Sequence, residues 1–415
     1  MADDDDASLV GHELELDVGA VAHGGHHVAR HDGRVVFVRH ALTGERVRVR
    51  VTEGNQESRY LRADAVEVLA ASTDRVRRPC PYAGPGKCGG CDFQHVRLSR
   101  QRAMLAEVVA EQLQRLAGID WSGTVEAAPG DDEGLGWRTR IRFAATEDGR
   151  PGLRRHRSDE VVAVDNCRIA HPGLPDVRAA LRDGAAQAQA VVSSTGEQVV
   201  VTDPTHAPTV TERAVDRYFR VHAGDFWQVH PSAAAMLAEA VITGLQPRAG
   251  ERCWDLYSGV GLFAAYLGVR VGESGAVLAV ESHRRSLDDL AANCADQPAV
   301  RPVRARVDQF VRSRAAQGRL DLVVLDPPRK GAGAAVVRAI AKQRPRAVAY
   351  VACDPAALAR DLATFASVGY EMERVRAFDI FPMTHHVECV AVVVPARLPG
   401  RTSARSTTKD LPLRR

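Results

Sequence analysis

The sequence predicts an α/β protein with a doubly wound, mostly parallel sheet, preceded by an all-β barrel and a mixed α+β region. Three observations carry this prediction. Helical and strand patterns alternate from residue 232 to residue 394, as in a parallel sheet covered by helices. A Gly-x-Gly turn joins the first of these strands to its helix, which is typical of doubly wound folds. Short alternating strands broken by glycine occupy residues 11–70, which indicates a small barrel.

The chain divides into three predicted domains and two tails. In chain order these are an acidic disordered tail (1–10), an OB-type barrel (11–70), a central domain with a candidate metal site (71–225), the α/β domain (226–397) and a basic flexible tail (398–415). In the α/β domain, periodicity predicts helices at 232–246, 262–269 and 284–294 and strands at 252–256, 276–281, 301–305, 321–325, 347–351, 371–380 and 386–394. One helix at 97–116 is predicted in the central domain.

Composition excludes several classes of protein. The 415 residues carry 55 Lys and Arg against 52 Asp and Glu, so the chain is not a globally basic, histone-like binder. No apolar run approaches the about 18 residues of a transmembrane helix, and the aspartates near the start oppose a secretory signal. We therefore expect a cytoplasmic protein without membrane contact, and cysteines that serve as ligands, nucleophiles or inert thiols rather than disulfides.

Two rows of arginine are candidates for nucleic-acid contact. Arg46, Arg48 and Arg50 alternate along one barrel strand and are expected on one face, with His26, His27 and Arg30 in a nearby loop. Arg138, Arg140 and Arg142 repeat the pattern in the central domain. Such rows are either solvated surface or a basic face that holds RNA.

Four cysteines are spaced like the ligands of one metal centre. Cys80, Cys88 and Cys91 lie in a glycine-rich segment, and Cys167 stands alone downstream. Three clustered thiolates with a distant fourth fit a [4Fe–4S] cluster, and four thiolates also fit tetrahedral zinc. The spacing leaves both metals open, beside the interpretation that these are unligated thiols in a glycine-rich loop.

The first strand–turn–helix of the α/β domain predicts a nucleotide-like ligand. The strand ends at Asp255, and Gly259 and Gly261 allow the ligand to approach the backbone beside the helix N-terminus. Glu281 ends the next strand, 20 residues after Gly261, where it could accept hydrogen bonds from ribose hydroxyls. Asp308 follows the third strand and could face an adenine. Alone, this pattern fits a nicotinamide dinucleotide as well as S-adenosylmethionine.

A third acid lies at the same predicted sheet edge. The strand at 321–325 delivers Asp326 there, and Pro327 and Pro328 fix the backbone behind it. We take this segment, with the motifs that follow it, to favour S-adenosylmethionine. An aromatic residue at position 329 would indicate methylation of an exocyclic amine, whereas Arg329 favours a different target atom.

Two residues further along are candidates for covalent and acid–base chemistry. Cys353 ends a strand and leads through a proline into a helix, and this position lowers a thiol pKa and suits a nucleophile. A buried inert thiol is the alternative. Glu388 lies within an apolar strand, where burial raises a carboxyl pKa and suits a general base. His385 and His386 are adjacent on a strand and point in opposite directions, which disfavours a shared metal.

Together these motifs resemble those of the S-adenosylmethionine-dependent RNA 5-methyluridine methyltransferases, over nearly the whole chain. Residues 11–70 resemble the OB-type barrel called the TRAM domain. Residues 225–229 resemble the family's Phe-x-Gln segment. The segments 353–355 and 386–388 match its nucleophile and base motifs.

The resemblance implies roles for particular residues. Besides Gly259 and Gly261 of the turn, the implied S-adenosylmethionine contacts are Gln228, Tyr257, Glu281, Asp308 and Asp326. The implied [4Fe–4S] ligands are Cys80, Cys88, Cys91 and Cys167. Cys353 would add to C6 of uracil, and Glu388 would remove the C5 proton after methyl transfer.

The expected partner is RNA, and ribosomal RNA is favoured over the T-loop of tRNA because relatives with both barrel and cluster often act on the large subunit. A structural role is expected for the cluster, and a monomer is the default. Two other classes remain as hypotheses. A non-catalytic RNA-binding module on this fold would be expected to lack Cys353, Glu388 or the glycine turn. A nicotinamide-dependent oxidoreductase would leave Cys353 and Glu388 without a role.

Overall fold

The computed structural model describes residues 8–396. The predicted acidic tail up to residue 7 and the predicted basic tail at 398–415 lie outside the described residues. Within the described range the chain forms four β-sheets and eight α-helices. None of these helices combines the length and the apolar character that crossing a membrane requires.

The first sheet is built from the N-terminal sixth of the chain. Its strands are β1 (Glu13–Asp17), β2 (Val21–Ala22), β3 (His26–His31), β4 (Arg34–Arg39), β5 (Arg46–Glu53) and β6 (Tyr60–Ala70). They lie in the order β1-β5-β6-β4-β3-β2, antiparallel except for β4 and β6. Alternate positions such as Val47, Val49 and Val51 are buried, which explains the alternation in the sequence. Leu9, in the segment assigned to the acidic tail, packs against this core.

The central region contributes two smaller sheets. Its elements are α1 (Leu98–Ala117), β7 (Val125–Ala127), β8 (Arg140–Ala145), β9 (Pro151–Arg154), β10 (Val161–Ala163), α2 (Arg178–Arg182), β11 (Gln187–Val192), β12 (Gln198–Val201), β13 (Thr209–Ala214) and β14 (Arg217–His222). Strands β8 to β12 form an antiparallel sheet in the order β10-β9-β8-β11-β12, and β13 and β14 form a hairpin.

The remaining elements form a doubly wound sheet. They are α3 (Ala233–Leu245), β15 (Arg252–Leu256), α4 (Leu262–Val271), β16 (Ala276–Glu281), α5 (Arg284–Asn293), β17 (Val300–Arg304), α6 (Val307–Phe310), β18 (Leu322–Leu325), α7 (Ala334–Lys342), β19 (Ala347–Ala352), α8 (Pro355–Ser367), β20 (Tyr370–Asp379) and β21 (Glu388–Pro395). The order is β17-β16-β15-β18-β19-β21-β20-β7, and the first five strands are parallel. The predicted elements are confirmed to within two residues, whereas α6 and α7 were not predicted.

The three regions share a core. β7 of the central region pairs with β20 at the edge of the large sheet, and α1 packs through Met104 and Leu113 in the same apolar cluster as Leu358 of α8. Val21 and Leu42 of the first sheet belong to that cluster too. The first sheet is therefore packed onto the α/β core rather than attached only by a linker.

Candidate active site

A cavity of about 870 Å³ opens at the carboxyl edge of the large sheet. Ligands bind at this edge in doubly wound folds, and the volume is typical of ligand sites, which span about 300–1,000 Å³. The cavity is lined by seven of the predicted site residues, namely Gln228, Tyr257, Gly259, Glu281, Asp326, Cys353 and Glu388. Two others, Gly261 and Asp308, are not among the residues that line it.

The two glycines of the first strand–helix turn have different surroundings. Gly259 has a φ of 53° and lines the cavity, and its N–H donates to the Glu281 carboxylate at 3.1 Å. A Cβ built on Gly261 would lie only 2.9 Å from Cγ of Leu290. Gly261 therefore lets α4 approach α5, which differs from the predicted contact with a cofactor.

The two predicted ribose- and adenine-facing acids also differ. Glu281 lines the cavity and accepts from the backbone N–H groups of Ser282 and His283 at 2.6 and 2.7 Å, so its carboxylate is fixed at the end of β16. Asp308 lies at the surface on α6 and pairs with Arg306 at 3.1 Å. The structure thus keeps Glu281 at the cavity, whereas Asp308 lies outside the lining but near enough to Tyr257 for its charge to raise the Tyr257 pKa, after burial.

Two carboxyls here are withdrawn from water: Asp326 lines the cavity, and Asp255 is fully buried and not among the lining residues. Burial raises the pKa of Asp326 to about 7. Burial, together with the charges of Asp326 and Glu281, raises the pKa of Asp255 to about 8, although a hydrogen bond from the Ala264 N–H opposes this. Near neutral pH these two groups therefore titrate, as expected where carboxyls are withdrawn from water.

Cys353 lies between the end of β19 and the first turn of α8. Contrary to the sequence expectation of a lowered value, its pKa is raised to about 11, first by burial and then by the charge of Glu388. The Arg329 guanidinium opposes the shift. The helix N-terminus is outweighed because the thiol is withdrawn from water beside carboxyls.

Glu388 is 5% exposed and begins β21. Burial raises its pKa well above the ordinary range, Asp326 raises it further, and Arg329 opposes both. This direction agrees with the sequence expectation. Arg329 is therefore the cation that favours the ionised forms of both Cys353 and Glu388.

The two histidines before Glu388 do not converge on a metal in the structure. The Asp92 carboxylate accepts from Nδ1 of His385 at 2.7 Å. Nε2 of His386 lies 3.2 Å from the Arg329 guanidinium, and burial, His385 and Arg329 lower the pKa of His386 to about 3. A neutral His386 accepts a hydrogen bond from Arg329 and so orients it over the cavity.

Several cavity residues could not be found from sequence spacing. Asp92, Trp137, His156 and Phe381 all line it. Asp92 and its partner His385 are 293 positions apart, and nothing in either local segment indicates the pairing. Only the fold brings them together.

The four predicted metal-binding cysteines meet in a second cavity of about 380 Å³. Cys88 and Cys91 each accept a hydrogen bond, from the Gly90 N–H and the Gln94 side chain, both at 3.4 Å. Tyr82 donates to Asp165 and so ties the segment of the first three cysteines to that of Cys167. The cavity shares Gly89, Gly90, Arg138 and His156 with the first.

The predicted basic faces are not formed. On β5, Arg48 and Arg50 pair with Glu15 and Glu13 of β1 at 3.1 and 2.8 Å, and Arg46 also bonds Glu15. Cross-strand acids therefore neutralise this row. His26 and His27 begin β3 and are buried instead of lying in a loop.

The second arginine row is also divided by the fold. Arg140 is 6% exposed and pairs with Glu212 at 2.8 Å, whereas Arg138 precedes β8 and faces both cavities. Arg142 alone of the three is at the surface. The row therefore does not offer one basic face.

Positive charge gathers instead in a groove of about 410 Å³ between the first sheet and the cysteine segment. Its cations are Arg39, Arg62, Lys87, Arg155 and Arg157, which outnumber the two acids that also line it, Glu53 and Asp64. Burial, followed by the charges of Arg62 and Arg39, lowers the pKa of His26 in this groove to about 3. The groove therefore combines cations with aromatic rings, among them Phe37, over which Arg62 stacks at 5.4 Å.

The fold and the first cavity define a methyltransferase of the doubly wound α/β class. Residues 7–66 match the TRAM domain, and residues 174–395 match the tRNA (Uracil-5-)-methyltransferase family. An uncharacterized RNA methyltransferase of Streptomyces coelicolor is 49% identical over 94% of both chains. The chain therefore belongs to the RNA uracil-5-methyltransferase family.

Two further relatives set the context. A 23S rRNA (uracil(1939)-C(5))-methyltransferase, RlmD, of Chromohalobacter salexigens is 32% identical over 96% of this chain and 92% of its own length. The crystal structure of the Pyrococcus abyssi tRNA (uracil-54, C5)-methyltransferase, in complex with S-adenosyl-L-homocysteine, superposes with a TM-score of 0.66 at 22% identity. It covers 91% of this chain and 99% of its own, and this likeness establishes the fold.

Proposed function

We propose that the chain transfers a methyl group from S-adenosylmethionine to C5 of a uridine in large-subunit ribosomal RNA. The observation that carries the proposal is that Cys353 and Glu388 line one cavity with the strand-end acids Glu281 and Asp326. Support for ribosomal RNA comes from relatives named for that substrate, at 32% and 31% identity over more than nine-tenths of this chain. The same reaction on tRNA is the second candidate, favoured by the family's name.

The chemistry needs a nucleophile and a base because uracil C5 is a weak carbon nucleophile. The Cys353 thiolate adds to C6, which places negative charge on C5 and O4. S-adenosylmethionine, when bound, supplies the methyl group through its sulfonium. The Glu388 carboxylate then accepts the C5 proton, the C6–S bond breaks, and the Cys353 thiolate and the ring double bond are restored.

The raised pKa values fit these roles when Arg329 is included. A base whose pKa lies nearer the working pH accepts a proton more effectively and returns it more readily. A thiol with a pKa of about 11 is largely protonated at neutral pH, so it stays unreactive until its surroundings change. Arg329 favours the ionised forms of both Cys353 and Glu388, so it is the side chain that makes formation of the thiolate easier.

The donor's adenosine would lie along the glycine turn. Gly259 offers open space at its Cα, and Glu281 lies across from it with a fixed carboxylate. Gln228 and Tyr257 line the same cavity. Asp326 lies between this end and Glu388, whose pKa it affects. The target uridine would have to leave its stack to reach Cys353, which is cheapest in a single-stranded loop.

The cysteine cavity fits a [4Fe–4S] cluster held by Cys80, Cys88, Cys91 and Cys167. Within residues 8–396, one group of three potential metal ligands has its ligand atoms within 4.8 Å of one another, and it consists of His222, Asp225 and Asp289. No three cysteine sulfurs are therefore that close. A zinc ion with Zn–S distances of about 2.3 Å would hold them about 3.8 Å apart. A cluster holds each thiolate on a separate iron, so its thiolates lie farther apart than those of a zinc site.

The cluster would serve the fold. It would join the segment 80–91 to the segment around Cys167 beside the wall shared by both cavities. No step of the reaction above requires an electron.

The test uses anaerobically purified protein, S-adenosylmethionine and RNA that contains 5-fluorouridine, with ribosomal and transfer RNA fragments in separate reactions. Fluorine at C5 cannot leave as a proton, so the methylated adduct should remain bonded to Cys353 on a denaturing gel. We expect a band with the ribosomal fragment that is absent in Cys353→Ala. A band with tRNA alone would favour the second candidate. No band with either RNA, and no transfer of labelled methyl to undermethylated total RNA, would contradict the proposal.

A further inference from the structure

The TRAM domain reaches the catalytic loops through one tight turn. The turn joins β2 to β3 and consists of His23, Gly24 and Gly25, called the TRAM turn below. It is not among the residues that line the catalytic cavity. It nevertheless touches both chain segments that carry the catalytic side chains, the one after Cys353 and the one before Glu388.

The first contact is made by His23. Its Nε2 lies 3.1 Å from Oδ2 of Asp354, the residue that directly follows Cys353. The other carboxylate oxygen, Oδ1, accepts from the Ala357 N–H at 2.7 Å and so caps the first turn of α8. One carboxylate thus joins the TRAM turn to the helix start that fixes the nucleophile.

The second contact is made by Gly25. A Cβ built there would lie 2.8 Å from Cβ of His385, three residues before Glu388. His385 is also held by Asp92, which accepts from both its Nδ1 and its backbone N–H and whose Cβ would lie 3.4 Å from the same added Cβ. Asp92 in turn pairs with Arg39 of β4 at 3.1 Å, and both side chains are less than one-tenth exposed.

We propose that the TRAM turn positions the nucleophile and the base, with His23 as a positioning residue that acts through Asp354. The inference rests on the proposed function, because it concerns that same pair of catalytic residues. A domain that only held RNA would have no need to touch Asp354 and His385. The arrangement makes the geometry of the reacting pair depend on how the first sheet is seated.

The inference predicts a loss in turnover rather than in RNA binding. A displacement of about 1 Å between reacting groups can cost about 100-fold in rate. Removing the His23 contact should therefore lower kcat by about 10- to 100-fold while KM for RNA changes by less than about twofold, because the lost interaction acts on the reacting groups.

The first experiment compares His23→Ala with His23→Gln. The glutamine amide keeps an N–H donor in the region of Nε2 and should restore most of the turnover. Both variants are assayed for kcat and KM with the RNA fragment that the wild type methylates. The rate of adduct formation with 5-fluorouridine RNA is measured in a single turnover, so that product release does not mask the effect.

The second experiment uses neighbouring glycines as a matched pair. Gly24 and Gly25 both have positive φ, 91° and 78°, so alanine brings similar backbone strain to each. A Cβ on Gly24 would meet only the His26 ring, at 3.4 Å or more, whereas a Cβ on Gly25 would meet His385 at 2.8 Å. Gly25→Ala should lower kcat as His23→Ala does, and Gly24→Ala, which adds similar strain without the contact to His385, should lower it much less.

The outcomes separate the two hypotheses. If the wild type forms adduct but His23→Ala and Gly25→Ala match it in kcat, the positioning role is wrong and the proposed function stands. A rise in KM with unchanged kcat would also overturn it, since that would make His23 an RNA contact. If the wild type itself transfers no methyl group to either RNA, the proposed function fails instead.

Discussion

Two neighbouring cavities both contain cysteine thiols, but the charged residues that line them differ in sign. The cavity of the four cysteines is lined by six arginines, namely Arg138, Arg142, Arg154, Arg155, Arg157 and Arg168, and no carboxylate is among its described lining residues. The cavity of Cys353 is lined by five acids, namely Asp92, Asp225, Glu281, Asp326 and Glu388, and by two arginines, Arg138 and Arg329. The two share a wall at Gly89, Gly90, Arg138 and His156.

The contrast shows how the surroundings of a thiol divide structural from reactive cysteines. Burial raises the pKa of Cys88, Cys91 and Cys167 as well, so these thiols would ionise on binding a metal, and the arginines that line their cavity would then stabilise the anionic group. A lone thiol among carboxyls keeps its proton, and only a specific cation, here Arg329, opposes them. The first setting suits permanent ligands, whereas the second suits a bond that forms and breaks within each turnover.

The largest expected effect follows from replacing either of the two catalytic side chains, Cys353 or Glu388. Cys353→Ala should lower methyl transfer by at least about 1,000-fold, because the addition to C6 has no substitute. Glu388→Gln should also stop turnover but leave the methylated adduct on the enzyme with ordinary uridine, since nothing removes the C5 proton. A denaturing gel with labelled S-adenosylmethionine distinguishes the two variants. If both behave alike, the division into nucleophile and base is wrong.

The iron content tests the other cavity. Cys91→Ser should lose the about four irons of a [4Fe–4S] cluster, together with its visible absorbance, because one thiolate ligand is gone. Cys253→Ser is the matched control, since Cys253 is also buried, in β15, and lines neither cavity. Iron is measured on anaerobically purified protein. Zinc in place of iron in the wild type would contradict the cluster assignment.

The role of Arg329 gives a smaller effect with a definite sign. Removing its charge in Arg329→Gln should raise the pKa of Cys353 above about 11, because the carboxyls are then unopposed. At pH 8 the alkylation of Cys353 by iodoacetamide should slow by about three- to tenfold, since each pKa unit is a factor of ten in thiolate.

The residue after Arg329 provides a charge-matched control. Lys330→Gln removes a cation that does not line the cavity and should leave the alkylation rate unchanged. The modified peptide is followed by mass spectrometry, which separates Cys353 from the other seven cysteines. Equal slowing in both variants would show that general surface charge, and not Arg329 itself, affects the thiol.

Local patterns in the sequence were enough for the elements and for much of the site. The strand before Cys353 and the helix after Asp354 follow from apolar periodicity and a proline, and they place the thiol at the correct sheet edge. The same holds for Glu281 and Asp326 at the ends of their strands. Each prediction depended on neighbours within a few residues, where spacing along the chain determines which way a side chain points.

Electrostatic partners were beyond such patterns because they come from distant segments. Cys353 was expected to have a lowered pKa from its helix, but burial among distant segments, and then the charge of Glu388 on another strand, raise it instead. For the arginines of β5 the sequence left a solvated surface and a basic face both open, and it gave no sign that Glu13 and Glu15 of β1 pair with them. Only the pairing of strands reveals which charges remain unmatched.

The smallest expected effect concerns the groove beside the cysteine cavity. Arg157 lines both and is half-exposed, and its pairing with Glu53 at 3.3 Å is loose. If the groove holds RNA phosphate, Arg157→Ala should reduce the slope of log affinity against log salt by about 0.7–0.9 and weaken binding only a few-fold. Arg48→Ala, on the ion-paired β5 row, should leave the slope unchanged. Filter binding across salt concentrations measures both. If the salt slope changes with Arg48→Ala and not with Arg157→Ala, the RNA contact lies on the β5 face. If Arg157→Ala loses iron, the charge of Arg157 serves the cysteine cavity instead.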